Sequence, residues 1–300
     1  MSEMSDLPDL PEIEIVPRLA AQASLRTTPC GAGEMVWRCW GESSRRNSAK
    51  RPLVLLHGGS GSWTHWVRNI DVLVAAGYEL WVPDLPGFGD SALPPHGSDA
   101  DAVIAPLQAG LQQLLGERSD HSAQQCDLIG FSFGGMAAGM WAAAHPELMA
   151  RLVLVGAPAM GVTPERQFEL KAWRHLPSTD EQNAIHRYNL ATLMLHDTAK
   201  IDGLALDIHL ANMVNDRMPR RRLSHTNILA RSLATVACPV HAIYGRYDAV
   251  YKSWIAQLAS AYGLASPSFK GLTLIENAGH WVQFEQPEAF HAALLPALAQ

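Results

Sequence analysis

Runs of apolar residues alternate along the chain with longer stretches in which apolar residues recur at helical spacing. An alternating segment predicts a strand at residues 34–40. The apolar runs predict strands at 52–56, 78–82, 127–131, 151–155, 240–244 and 272–276. The longer stretches predict helices at residues 63–76, 100–115, 134–144, 253–261 and 287–298. Continuous Val, Leu and Ile runs separated by helices are typical of a parallel sheet that is covered on both faces. The pattern therefore predicts an α/β fold with a mostly parallel central sheet flanked by helices.

One segment interrupts this alternation. Residues 161–235 contain no good strand run and are mostly helical in pattern. Because the segment lies between two predicted strands of the core, we interpret it as an inserted helical cap. The remaining residues divide into an N-terminal arm, 1–33, and a core formed by 34–160 and 236–300.

Polar residues that could take part in catalysis lie just after the predicted strands. His57, Asp84, Ser132, Asp248 and His280 each follow one. The functional loops of a parallel sheet lie at the C-terminal ends of its strands. We therefore expect these five side chains to gather at one edge of the sheet.

The sequence Gly-Phe-Ser-Phe-Gly at residues 130–134 joins a predicted strand to a predicted helix. It matches G-x-S-x-G, the nucleophile elbow, in which the serine occupies the tip of a sharp strand-to-helix turn. Small residues on either side of Ser132 allow the backbone to bend closely there. The alternative is a serine in a glycine-rich turn that has no chemical role.

A serine hydroxyl becomes a good nucleophile only when a base takes its proton and a third group orients that base. Asp248 and His280 follow later strands in the order acid, then histidine, that such an elbow requires. Alone, Asp248 could be a turn residue and His280 a capping or surface residue. Glu276 is an alternative acid, but it precedes His280 too closely to come from another strand. For Asp84 a loop-stabilising role is favoured.

An oxyanion that forms during acyl transfer needs preorganised backbone N–H donors. Phe133, directly after the serine, is predicted to supply one. The glycine-rich loop at residues 57–63 is predicted to supply the other from Gly59, with Ser60 as the next choice. A phosphate-binding loop is disfavoured because no lysine follows the glycines. His57 is expected to hold the shape of the loop.

Aromatic residues flank the predicted catalytic positions and are candidates for the wall of an apolar pocket. The predicted substrate-binding residues are Ser60, Trp63, Phe131 and Trp281, with Trp173 and Met213 of the cap as less certain additions. Such a pocket would prefer uncharged, hydrophobic acyl groups. An inward-facing arginine from the basic run at residues 217–222 would instead favour an anionic substrate.

Composition and charge exclude several classes of protein. Hydrophobic residues make up 48% of the 300 residues and charged residues 17%, which is enough to build a sizeable core. The net charge of −6 argues against nucleic acid or an anionic membrane as partner, and no run of about 18 apolar residues predicts a membrane span. The four scattered cysteines and the acidic start predict a cytoplasmic protein without a metal site. We expect no cofactor and a small-molecule substrate. The sequence leaves open whether the protein forms a homodimer.

These segments together resemble those of capped enzymes with the α/β-hydrolase fold. The similarity rests on HGG at residues 57–59, PDLPGFG at 83–89, GFSFGG at 130–135, GRYD at 245–248 and GHW at 279–281, and it covers roughly residues 34–298. The end of the chain, with Trp281, Gln283 and Glu285, also resembles the meta-cleavage-product hydrolases, which split carbon–carbon bonds in dienoates. The chain departs from them in the HGG loop, which lacks Gly-Pro-Gly, and at Phe133, where they commonly have methionine.

The leading functional hypothesis is a cofactor-independent serine hydrolase that cleaves a small, largely hydrophobic carboxylic ester through an acyl-enzyme. Carbon–carbon bond hydrolysis of a diketone-like substrate is the alternative within enzymes, because the resemblance implies the same triad for both reactions. Dehalogenases and epoxide hydrolases of this fold use an aspartate nucleophile, so Ser132 counts against both. A binding protein of the fold that holds a ligand without turnover is the alternative outside enzymes.

Overall fold

The computed structural model describes residues 14–42, 50–118, 124–163, 165, 167–201, 203–218 and 220–299. The strands in these ranges are β1 (Ser24–Cys30), β2 (Gly33–Trp40), β3 (Leu53–Leu56), β4 (Leu80–Pro83), β5 (Cys126–Phe131), β6 (Met149–Val155), β7 (Val240–Gly245) and β8 (Phe269–Ile275). They form one eight-stranded sheet in the spatial order β1-β2-β4-β3-β5-β6-β7-β8. Strand β2 pairs antiparallel with both β1 and β4, whereas the pairs from β4 to β8 in this order are all parallel. The predicted α/β fold is therefore confirmed.

Helices cover both faces of this sheet. The α-helices are α1 (Ile15–Gln22), α2 (Ile70–Ala75), α3 (Ile104–Gly116), α4 (Phe133–Ala144), α5 (Thr179–Asn189), α6 (Leu204–Val214), α7 (Ile228–Leu233), α8 (Leu258–Ala265), α9 (Val282–Glu285) and α10 (Pro287–Ala299). Short 3₁₀ turns, among them Trp63–Trp66, Ala100–Val103 and Lys252–Gln257, precede several of them. Pro106 is accommodated because it is the third residue of α3, where a backbone N–H has no intrahelical partner.

The central strands are apolar throughout because each of their faces contacts a different layer of helices. In β3, Val54 and Leu56 join the cluster of buried residues that contains α3, α4 and α8. Leu53 and Leu55 join the second cluster, which contains α2 and α10. Since successive side chains of a strand point to opposite faces, both sets must be apolar. The continuous apolar runs in the sequence have this origin.

The structure corrects the predicted boundary between arm and core. Strand β1 lies within residues 1–33, yet it pairs with β2 over seven residue positions and forms one edge of the sheet. Its pattern hides it, because most of its residues are exposed and no apolar run marks it. Pro29, which lacks a backbone N–H, is tolerated because β1 is an edge strand. Residues 1–13 of the predicted arm lie outside the described residues.

The segment predicted to form a helical cap, residues 161–235, lies between β6 and β7 and is called the cap below. It contains α5, a π-helix at Leu190–Met194, α6 and α7, and no strand lies in the described part of residues 161–235. Its last helix, α7, packs on α4, where Leu229 and Leu233 lie against Gly139. A side chain at Gly139 would overlap Leu229. The end of the predicted cap segment is thus packed into the core.

Candidate active site

Ser132 lies at the tip of the turn between β5 and α4, where its backbone has φ 51° and ψ −117°. A non-glycine residue at positive φ is strained and persists only when its surroundings hold it. Gly130 and Gly134 permit this turn. A Cβ at Gly130 would lie 2.5 Å from the Gly134 carbonyl oxygen, and one at Gly134 would overlap the carbonyl oxygen of His57. The glycines are therefore required by close backbone approach.

Three of the predicted side chains form one hydrogen-bonded chain. The hydroxyl of Ser132 lies 2.8 Å from Nε2 of His280. Nδ1 of His280 lies 2.9 Å from both carboxylate oxygens of Asp248. Asp248 and His280 are buried, whereas Ser132 is partly accessible. Because β5, β7 and β8 are parallel, their C-terminal ends bring the three loops together.

Two backbone N–H groups beside Ser132 have no acceptor among the described residues. They belong to Gly59 and to Phe133, the first residue of α4. The neighbouring Gly58 N–H is already used, because it donates to Nδ1 of His65 over 3.2 Å. A helix N-terminus carries a partial positive charge that favours an anion. These two N–H groups are the ones predicted from the sequence to bind an oxyanion.

Two buried histidines shape this loop. The Nδ1–H of His57 donates to the Gly58 carbonyl over 2.7 Å, and its Nε2 accepts from the Leu85 N–H over 2.8 Å. Burial lowers the pKa of His57, and it lowers the pKa of His65 well below its usual value, with smaller contributions from neighbouring histidines. Both imidazoles are therefore neutral, as their acceptor roles require. The sequence signalled His57 through its place in the loop but carried no signal for His65.

A cavity of about 740 Å³ opens above Ser132. Its wall includes the apolar side chains Met160, Phe168, Leu193, Met194 and Val250. Leu193 and Met194 belong to the π-helix of the inserted segment, and Phe168 lies earlier in the same segment. Met160 follows β6, and Val250 follows β7. Residues of the inserted segment and of the core therefore line the cavity together.

The structure brings only two of the four predicted substrate-binding residues to the cavity. Ser60 and Phe131 line it, whereas Trp63 and Trp281 do not. The Trp63 ring lies 5.6 Å from that of Trp40, and the Trp281 indole N–H donates to the His65 carbonyl over 3.1 Å. Both are buried in the core at positions next to the loops. Adjacency in sequence thus did not predict the direction of these two rings.

The two cap residues named from the sequence also lie away from the cavity. Trp173 packs against His186, with ring centroids 4.5 Å apart. Neither Trp173 nor Met213 is among the cavity-lining residues. Other residues of the inserted segment line it instead, among them Phe168, Leu193, Met194 and Arg221.

Arg221 is the residue of the basic run that faces the cavity. Its Nη1 donates to the two oxygens of Asp216 over 2.8 and 3.0 Å, and its Nη2 donates to Ser60 over 2.9 Å. Nε lies beside Gly59, where an added Cβ would be 3.3 Å away. Burial opposes the ionisation of Asp216, but the charge and hydrogen bonds of Arg221 and the Ser60 hydroxyl hold its pKa below the usual value. The guanidinium thus lies beside the loop at residues 57–63, and the Asp216 carboxylate balances part of its charge.

The other acids considered from the sequence have different partners. Asp84 accepts hydrogen bonds from the backbone N–H groups of Trp63 and Asp90 and from Arg38, at 2.9 to 3.0 Å. Glu276 is exposed and pairs with Arg246 over 2.8 Å. Asp84 therefore stabilises its loop, and neither acid is hydrogen-bonded to His280.

The described ranges contain no group of three or more His, Cys, Asp or Glu side chains that could hold a metal ion. They also contain no helix with the length and apolar character needed to cross a membrane. The four cysteines are buried thiols, and burial raises the pKa of Cys39 to about 12.

Comparison with known proteins places this chain among hydrolases. The profile of the alpha/beta hydrolase family matches residues 53–293. A Klebsiella pneumoniae relative named 2-hydroxy-6-oxononadienedioate/2-hydroxy-6-oxononatrienedioate hydrolase is 26% identical over 270 residues, covering 84% of this chain and 88% of that protein. A meta-cleavage product hydrolase from Pseudomonas fluorescens has a TM-score of 0.70 at 18% identity, covering 93% of this chain and 98% of the other. A carboxylesterase from Bacillus subtilis has a TM-score of 0.71 at 16% identity, covering 96% of both chains. At such identities the solved structures establish the fold alone.

Proposed function

The chain belongs to the alpha/beta hydrolase family, and from that premise we propose that it is a serine hydrolase that cleaves small, largely hydrophobic carboxylic esters through an acyl-enzyme. One observation carries this proposal. The hydrogen-bonded chain from Asp248 through His280 to Ser132 ends at a cavity, and the edge of this cavity holds two backbone N–H groups that have no acceptor in the described part of the chain.

Acylation follows from the positions of these groups. Ser132 Oγ attacks the ester carbonyl while His280 Nε2, 2.8 Å away, takes the hydroxyl proton. Asp248 stabilises the resulting imidazolium through Nδ1–H. The N–H groups of Gly59 and Phe133 bind the oxyanion, and one such donor typically contributes about 10²–10³ in rate. His280 then returns the proton to the departing alcohol as the tetrahedral intermediate collapses.

Deacylation uses the same groups in a second cycle. A water molecule loses its proton to His280 Nε2 and attacks the acyl carbonyl. The oxyanion forms again at Gly59 and Phe133, and Ser132 leaves with the proton from His280. The apolar wall formed by Met160, Leu193 and Val250 supports a hydrophobic acyl group next to the nucleophile.

The proposal is tested by labelling with a fluorophosphonate and by turnover of p-nitrophenyl esters of increasing acyl length. Wild-type protein is expected to be labelled at Ser132 and to release a burst of p-nitrophenol equal to the enzyme concentration. Ser132→Ala should lose both responses and keep its fold, with kcat lower by about 10⁶. Activity of Ser132→Ala within about tenfold of wild type would refute the assignment of Ser132 as the nucleophile. Absence of labelling in wild type would favour a binding protein without turnover.

Carbon–carbon bond hydrolysis is the second candidate, because Arg221 stands on the cavity wall. Its Nε–H and part of Nη2 are not used by Asp216 or Ser60, so they could receive a substrate carboxylate. Relatives such as the Klebsiella pneumoniae hydrolase are named for doubly acidic substrates. In that reaction the tetrahedral intermediate expels a stabilised carbanion instead of an alkoxide, and protonation of that carbon completes the cleavage.

Arg221→Gln discriminates between the two candidates, with the neighbouring exposed residue Arg220 replaced in the same way as the control. For a C–C hydrolase, Arg221→Gln should raise KM for a carboxylate-bearing diketone by about 10- to 100-fold, since a charged hydrogen bond is lost. Arg220→Gln should leave KM for the same substrate unchanged. If neither variant changes KM for a charged substrate while neutral esters turn over well, the carboxylesterase proposal stands.

A further inference from the structure

The carboxylate of Glu285 is fully buried beneath the loop that carries His280, and acyl transfer as described above does not use it. Glu285 is 0% exposed and is the last residue of the short helix α9. A buried carboxylate is costly unless hydrogen bonds compensate for its lost hydration. The partners of this carboxylate therefore indicate why it is there.

Three backbone N–H groups bind the carboxylate, and they come from two separate parts of the chain. Oε2 accepts from Gly279, the residue before His280, over 2.6 Å. The same oxygen accepts from His196 over 3.1 Å, and Oε1 accepts from Asp197 over 2.6 Å. One side chain thus joins the histidine loop (residues 278–281) to the segment that leaves the π-helix of the cap.

Further contacts between these two segments leave little room for movement. The Trp281 N–H donates to the Met194 carbonyl over 2.8 Å. A Cβ at Gly279 would lie 2.8 Å from the backbone nitrogen of His196. The His196 ring also stacks on Tyr247 with centroids 3.9 Å apart and planes 7° apart. The histidine loop is therefore bound to the cap on both sides of its histidine.

The same segment supplies part of the cavity wall, because Leu193 and Met194 line it. We propose that Glu285 is a positioning residue that holds His280 in register with Ser132 and with this wall. The inference rests on the proposed function, in which His280 is the base. A displacement of about 1 Å at a reacting group can cost on the order of 10²-fold in rate.

Glu285→Gln tests the proposal because an amide keeps the shape but turns an N–H₂ group toward a backbone donor. We expect kcat for p-nitrophenyl acetate to fall by about 10²-fold while KM stays within about threefold. Lys200→Met is the matched control. Lys200 Nζ donates to the backbone carbonyl oxygen of Glu285 over 2.7 Å, so its loss weakens the contact to the cap and spares the carboxylate. This control should keep wild-type kcat.

An NMR measurement makes the result independent of turnover. The downfield Nδ1 proton resonance of His280 reports its hydrogen bond to Asp248, and it should shift or broaden in Glu285→Gln but not in Lys200→Met. Ser132→Ala should abolish turnover and keep this resonance, so failure of the proposed function is separable from failure of the positioning role.

Several outcomes overturn the positioning role. They are an unchanged kcat and resonance in Glu285→Gln, a change confined to KM, or an equal loss of kcat in Lys200→Met. If Glu285→Gln does not fold, Glu285→Asp is measured instead and should show the same fall in kcat at constant KM. Insoluble protein from both variants would assign Glu285 to folding and overturn the proposal.

Discussion

Replacing Asp248 with asparagine should leave the fold intact and disable His280 by changing its tautomer. Both carboxylate oxygens lie 2.9 Å from His280 Nδ1, and Oδ1 also accepts the Val250 N–H over 2.9 Å. In Asp248→Asn the amide oxygen must keep the Val250 bond, so the amide nitrogen takes the place of Oδ2. It then faces Nδ1 as a donor. His280 therefore carries its proton on Nε2 and can no longer accept the proton of Ser132.

The expected loss is about 10⁴-fold in kcat, by analogy with other triads. At about 1.36 kcal/mol per factor of ten, this corresponds to roughly 5.4 kcal/mol of transition-state stabilisation. Burst kinetics with p-nitrophenyl acetate measure it, because acylation is the step that needs the correct tautomer. Circular dichroism and thermal unfolding check that the variant is folded.

Glu276→Gln is the matched control, because it removes an exposed carboxylate from the neighbouring loop. It should keep wild-type kcat. If Asp248→Asn is fully active while Glu276→Gln or Asp84→Asn is inactive, the acid has been assigned to the wrong residue and the tautomer argument fails.

Three further predictions follow from the packing. Gly134→Ala should lower the free energy of unfolding by at least about 2 kcal/mol, because the added Cβ overlaps backbone carbonyl oxygens. Gly263→Ala, with open space around it, should raise the free energy of unfolding by about 0.5–1 kcal/mol. Similar urea midpoints for both variants would contradict this prediction. Burial holds the pKa of His65 well below its usual value, so the stability that this residue contributes above pH 6.5 should be lost as the pH falls, by up to about 1.4 kcal/mol per pH unit. Urea unfolding of His65→Asn at pH 7 and pH 5 should show a smaller pH dependence, and an equal dependence would refute the assignment. Trp281→Phe should lower stability through its lost bond to the His65 carbonyl but leave KM for esters unchanged, and a KM change that depends on acyl length would place the ring at the cavity after all.

The sequence was informative where function depends on short local patterns. The glycines around Ser132 are needed because the backbone approaches itself within van der Waals distance, so the elbow is visible in five residues. The order of Ser132, Asp248 and His280 after three apolar runs placed them at one edge, because parallel strands end on the same side. These are properties of consecutive residues and of strand direction.

Elements without a local pattern were missed or misplaced. Strand β1 is a mostly exposed edge strand, so it shows no apolar run. Arg221 was only one of several arginines in a basic run. Its partner Asp216 and the loop around Ser60 decide that it, and not its neighbours, faces the cavity.

The sequence by itself determined strands β2 to β8 of the sheet, the sharp turn at Ser132 and the order of the residues that meet there, because each depends on neighbouring residues and strand direction. Only the tertiary structure decided which side chains face the cavity. Trp63 and Trp281 turn into the core, and Glu285 joins the histidine loop to the cap across 88 residues of chain. The physical reason is that the direction of a side chain at a loop depends on which distant segment packs against it.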